Sequence, residues 1–242
     1  MPPRSYRRRD NPPPRRRRRP ERQEDPNISN GQSPNITEGS LDQRLRNARI
    51  KCPVNPHAWF IPLDKQEELL STSVIEEEIR KGDGELRLSE RRRYAKWTNK
   101  RAKRLFMVLA YMRMSAWISL LLDEGIFDKD LPLKLEGGGD TPSTLRRKSG
   151  GEPIKTFKMW NSDALEEFDR SQWWMIAPKF DKESRVCHEL ADEDILPFIP
   201  IKEKEKSDKR IPHMKIGGYS EVTAFRIHPA HHNFWGHSIP LV

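Results

Sequence analysis

"LFMVLAYMRMSAWISLLLDEG", Leu105 to Gly125, is apolar nearly all the way round. A helix with no polar face belongs inside a domain, so this stretch is expected to be the most buried helix of the chain. Its two apolar runs are each too short to span a bilayer, and Arg113 separates them. Gly125 stands where a helix ends in the left-handed conformation, and Pro132 in the following "FDKDLPL" forbids helical continuation. Upstream, the helical pattern extends back to about Ser89 through "RRRYAKWTNKRAKR", which holds eight basic residues and no acid. Tyr94 and Trp97 interleave with these cations, a composition that can track a nucleic-acid backbone and stack bases. The simpler expectation is one helix in which Trp97, Leu105, Val108, Leu109 and Met112 share a core face, with arginine stems covering its rim.

A second helix is expected in "HAWFIPLDKQEELLSTSVIEEEIRKGDG". Asp64 suits an N-cap, and Glu67 three residues on completes a capping box. Leu69, Leu70, Val74, Ile75 and Ile79 follow at helical spacing, and Gly82 closes the helix after Arg80 and Lys81. Glu76 to Glu78 read as a solvated face. Residues 136–155, rich in glycine, are expected to be a flexible loop, in which Ser149 follows "RRK" as a basophilic kinase would require. Beyond it, Trp160, Phe168, Trp173, Trp174 and Phe180 are expected to pack onto the earlier helices.

Composition sets the limits of the fold. The 242 residues are 34% hydrophobic and 33% charged with 20 prolines, too little apolar material for a core along the whole length. The net charge is +9, but residues 1–22 carry ten arginines against Asp10 and Glu21, so the excess lies in one tail. Residues 1–50 show no apolar periodicity and are expected to be a disordered Arg/Pro-rich tail. Its runs Arg7 to Arg9 and Arg15 to Arg19 suit an import receptor, a nucleic acid or an acidic partner, or belong to a merely solvated tail. Cys52 and Cys187 have no CxxC spacing, which argues against a disulfide framework or a structural zinc site. With no apolar N-terminal segment of the secretory type, an intracellular protein, nuclear or cytoplasmic and without a membrane partner, is expected.

The expected order is therefore mainly α. A helical domain at 51–200, itself a surface for an intramolecular or protein partner, follows the disordered basic tail. A charged linker at 201–210 leads to an incomplete β-hairpin at 211–242. That last segment contains "MKIGGYSEVTAFRIHPAHHNF". A glycine-rich hairpin binds nucleotide because glycine lets backbone N–H groups approach phosphates without a Cβ clash. Aligned on Val222, Gly217 takes the second glycine position of a kinase glycine loop, Gly218 is an additional glycine, Tyr219 caps the tip, and Ser220 stands where the third glycine would be. His228, His231, His232 and His237 lie within ten residues, yet no nearby cysteine or carboxylate completes a metal set, so no metal site is expected.

With its flanks "ILPFIP" and "QWWMIAPKF", this segment resembles a family of fungal serine/threonine protein-kinase-like proteins. In that family a helical region precedes the kinase domain, which opens with a glycine-loop strand and an "HPxHHNF"-like turn. The resemblance covers roughly residues 57–234. It implies that Gly217, Gly218, Tyr219, Ser220 and Val222 lie over ATP, with Mg as its companion, in a complete parent. The departures are large. No lysine follows Val222, no HRD or DFG motif occurs, and "WGHSIPLV" does not match the strand that should bear the catalytic lysine. The chain is thus expected to be the truncated front of such a protein, to lack phosphotransfer activity alone, and to bind neither ATP nor Mg appreciably. The contrasting expectation is a non-catalytic interaction module with an Arg-rich arm. The isolated hairpin should be poorly ordered or lean on the helical unit.

Overall fold

The computed structural model describes residues 39–138, 141–183, 190–201, 215–217, 220–222 and 225–234. About half of these are helical. The chain runs through α1 (Leu41–Asn47), β1 (Ile50–Lys51), β2 (Trp59–Phe60), α2 (Leu63–Leu69), α3 (Thr72–Gly82), α4 (Leu88–Arg101), α5 (Lys103–Tyr111) and α6 (Ile118–Asp123). Then follow β3 (Leu133–Gly138), β4 (Thr141–Arg147), α7 (Ser162–Met175), β5 (Phe198–Ile199), β6 (Lys215–Gly217), β7 (Ser220–Val222) and β8 (Arg226–Ile227). The strands form four antiparallel pairs: β1 with β2, β3 with β4, β5 with β8, and β6 with β7.

The apolar stretch at the centre behaves as its composition demands. All seven residues from Leu105 to Tyr111 are buried, and α5 packs between α1 and α7. Gly125, at φ +71°, ends α6 with the Ile126 N–H donating to the Leu121 carbonyl (2.9 Å) and the Gly125 N–H to that of Leu122 (3.0 Å). Those two bonds satisfy carbonyls that a helix end otherwise leaves open. Four later aromatics go inside: Phe157, Trp160 and Phe168 meet in edge-on and tilted ring contacts, and Trp174 meets Tyr111, whereas Trp173 and Phe180 are only half-buried. Two buried glutamines replace missing sheet partners. Gln172 both accepts from the Leu133 N–H and donates to the Leu133 carbonyl, each at 2.8 Å, while Gln66 donates to the carbonyls of Ile61 and Met175.

Several expectations need correction. The helix expected from Asp64 is two helices: Leu70 is extended, and Ser71 caps α3 by accepting the Val74 N–H at 3.3 Å. Pro62, not Asp64, precedes α2, and Asp64 sits in its first turn. The long helix expected at 89–124 breaks twice. At Ala102 the backbone leaves the helical region, and the Asp128 carboxylate, from outside, accepts the N–H groups of Arg104 and Leu105 at 3.1 and 2.9 Å. Burial pushes the Asp128 carboxyl above the usual range against those two hydrogen bonds. At Arg113 the chain turns left-handed (φ +60°), and the Met114 N–H reaches the Leu109 carbonyl at 2.8 Å. The break at Ala102 separates the faces assumed to be shared: Tyr94 is buried, but Trp97 is 44% exposed.

The stretch expected as a flexible loop holds most of the β3–β4 hairpin. Leu133 and Leu145 point into the core, and the register shifts between Glu136 and Gly138. Gly137 makes that bulge possible. Its φ is +97°, and a Cβ there would meet the Pro142 carbonyl oxygen at 2.4 Å. The tail also ends earlier than expected, because α1 lies inside residues 1–50. Leu41 and Leu45, one helical turn apart, are both buried, too short a repeat to stand out in a polar sequence. The Arg-rich runs and the linker at 202–210 lie outside the described residues. Among the described residues no helix is long and apolar enough to cross a membrane.

If α1 belongs to this core, Leu45→Ala should lower stability by about 2–5 kcal/mol, as for other buried leucines. Denaturant unfolding of the whole chain measures this, and a loss under about 0.5 kcal/mol, the size of a surface change, would mean α1 is only apposed.

Candidate functional site

Of the five residues expected to form a glycine loop, Gly217, Ser220 and Val222 fall in the β6–β7 pair. Gly217 lies opposite Ser220, and Val222 lies opposite Lys215, so backbone pairing brings these three motif positions into one hairpin. Gly218 and Tyr219 lie outside the described residues. A glycine loop is carried on an antiparallel strand pair. The rest of a phosphoryl-transfer site needs residue types that the sequence lacks after Val222, a lysine above all.

The more informative geometry lies just downstream, where residues 225–234 are built into the helical body. β8 pairs antiparallel with the short strand β5, and the His228 N–H donates to the Pro197 carbonyl at 2.8 Å. Pro229 to His231 then form a single 3-10 turn, started by the His228 ring, whose Nδ1 accepts the Ala230 N–H. The turn drives the His231 side chain inward until it is fully buried. There Nε2 accepts the Leu63 N–H at 3.2 Å, so the neutral ring carries its proton on Nδ1, which donates to the Pro178 carbonyl at 2.9 Å. Leu63 opens α2, and its N–H is one of the donors a helix start leaves without an internal partner. The Phe60 ring closes the site edge-on, 5.5 Å from His231 and 6.0 Å from His228.

Backbone bonds continue the seam. The Phe180 N–H donates to the His231 carbonyl (2.8 Å), and the Asn233 N–H returns to the Phe180 carbonyl (3.2 Å). The Asn233 side chain accepts from the Lys182 N–H and donates to Asp181, each at 2.7 Å. The pattern "HPAHHNF" suggests a turn between strands and marks no role for His231 or Asn233. Their partners are about 50 to 170 positions away, and nothing local marks a histidine as buried.

Burial pushes the His231 imidazole down to about 4. The Pro178 hydrogen bond works against that shift, while the charges of His228 and Arg104 add to it. His228 is shifted the same way, again mainly by burial. Among the described residues no group of three or more His, Cys, Asp or Glu is placed to hold a metal ion. A separate groove of about 340 Å³ opens between Cys52, Trp173, Trp174 and the acidic run Asp192 to Asp194.

The sign of the His231 shift sets a pH dependence. The folded ring binds its proton less readily than an unfolded one, so stability is complete above about 6.5 and declines as pH falls toward about 4. The loss attributable to this ring is on the order of 3 kcal/mol. His231→Phe removes the titrating group, so subtracting its unfolding free energy from wild type at each pH isolates the effect. A difference that stays flat between pH 6.5 and 4 would show that the imidazole is not held neutral. No protein-family profile, no curated protein and no solved structure matches this chain.

Proposed function

We propose that this chain is the front of a protein-kinase-like protein, a helical unit that seats the first strands of the kinase N-lobe and does not itself transfer phosphate. The observation that carries the reading is the seam at 225–234. The segment leaving the glycine-loop hairpin is anchored by a buried histidine, a strand pair and an asparagine clamp to α2, β5 and residues 178–182. A short hairpin is marginal in water without such support. The division of labour fits the chemistry: glycine-loop backbone comes from Gly217 to Val222, while the lysine, the base and the metal-holding carboxylates are residue types that must be supplied from elsewhere. ATP and Mg would be ligands of the complete parent, and this chain contributes only hairpin backbone toward them.

Two measurements test this. Protein recovered from its native cells with an antibody against α7 should yield peptides of a polypeptide that continues into a lysine-bearing strand and HRD-like and DFG-like motifs. Recovery of the 242-residue chain without such peptides overturns the kinase reading. On the chain itself, His231→Ala should speed amide exchange of 225–234 and 215–222 by at least tenfold, with α7 unchanged. Exchange unaltered at 215–222 would show that the seam does not seat the hairpin.

A further inference from the structure

The break at Ala102 leaves α4 with an exposed outward face. Its residues fall into two ridges at four-residue spacing: Arg92, Lys96 and Lys100 form one, and Arg93, Trp97 and Arg101 the other. All six are exposed. Trp97 therefore stands with a cation one turn before it, a cation one turn after it, and a second basic ridge beside it. The Arg93 guanidinium lies 5.6 Å from the Trp97 ring centre and 4.8 Å from that of Tyr94, whose ring meets Trp97 edge-on. Tyr94 is itself held by a hydrogen bond from its hydroxyl to Asp123 (2.8 Å), so the indole rests on an anchored neighbour.

Most charges on this face have no ion-pair partner among the described residues. Arg92 approaches Glu76 at 3.6 Å, but among the described residues Arg93, Lys96, Lys100 and Arg101 have no ion-pair partner. On α2, α3 and α7, Lys65, Arg80, Lys81 and Arg170 each pair with a glutamate three residues away. From Arg92 to Arg101 the two ridges cover about 14 Å of helix.

We propose that this face of α4 binds single-stranded nucleic acid, with Arg93, Lys96, Lys100 and Arg101 on consecutive phosphates and one base stacked on Trp97. Two features favour this ligand over an acidic peptide. A polyphosphate backbone presents continuous charge to cations spread over two adjacent ridges along about 14 Å of helix. A flat exposed indole set among cations offers every base a stacking surface, whereas a carboxylate gains nothing from the face of an aromatic ring. The partner class is independent of the kinase reading.

The test uses the full chain and fluorescein-labelled 12-mers of oligo(dT) and oligo(rU), followed by anisotropy between 50 and 200 mM NaCl. The ten arginines of residues 1–22 bind any polyanion, so the comparison is between variants that leave them intact. Trp97→Ala, which changes no charge, should weaken binding about tenfold, and Trp97→Phe should recover part of the loss. Lys96→Gln with Lys100→Gln should make the slope of log K against log salt shallower by about 1.4, two phosphate contacts' worth on a single strand. Because all three residues are exposed, the thermal midpoint should not move; the glutamine pair decides the matter if the tryptophan variants lose stability. Unchanged affinity and slope in these variants overturn the proposal. Poly-glutamate binding that is equally tight and equally dependent on Trp97 also overturns it, and makes the partner an acidic protein.

Discussion

From Leu105 to Tyr111 helix α5 has no solvent-facing side, and much of the structure answers to that constraint. A helix closed off from water cannot leave its terminal groups to water, so other elements must reach them. The Asp128 carboxylate accepts two N–H groups at its start, which requires the chain after α6 to fold back on the α4–α5 corner. At its far end the Tyr111 hydroxyl and carbonyl take hydrogen bonds from Arg46, and the hydroxyl a further one from Arg49. The Arg46 guanidinium also lies 4.1 Å from the Tyr111 ring centre. Arg113, left-handed just beyond α5, pairs with the buried carboxylate of Asp42. Placement of α1, the turn at 128–130 and the α4–α5 break thus follows from sealing one apolar helix.

How much of this was legible divides along the range of the interactions. Leu105 to Tyr111 declared their burial by composition, and Gly125 declared its cap, because both signals are local. The breaks at Ala102 and Arg113 carry no glycine or proline, and the first depends on an aspartate 24 positions away. Missing it put Trp97 on the wrong face. Residues 136–147 show the reverse error: glycines that suggest a loop serve a strand bulge, and the leucines that place the hairpin are sparse. Gly217, Ser220 and Val222 fall on the paired strands β6 and β7.

The docking of 225–234 differs in kind from the core it joins. The core is held by packing, which tolerates small shifts, whereas the seam depends on directional bonds to His231 and Asn233. Such bonds specify one register. A buried imidazole with both nitrogens engaged accepts only the neutral ring, and a neighbour half an ångström away would leave Leu63 or Pro178 without its partner.

That seam also orders events during synthesis. The Leu63 N–H waits for a ring 168 positions later in the chain. At ribosomal speed the interval is about 10–30 s, long compared with the formation of any helix. The helical body must then persist for that time with the edge of Phe60, the start of α2 and the Pro178 carbonyl uncovered. It completes itself only when its last long-range contacts emerge, so maturation of this fold is set by translation rather than by the intrinsic rate of its helices.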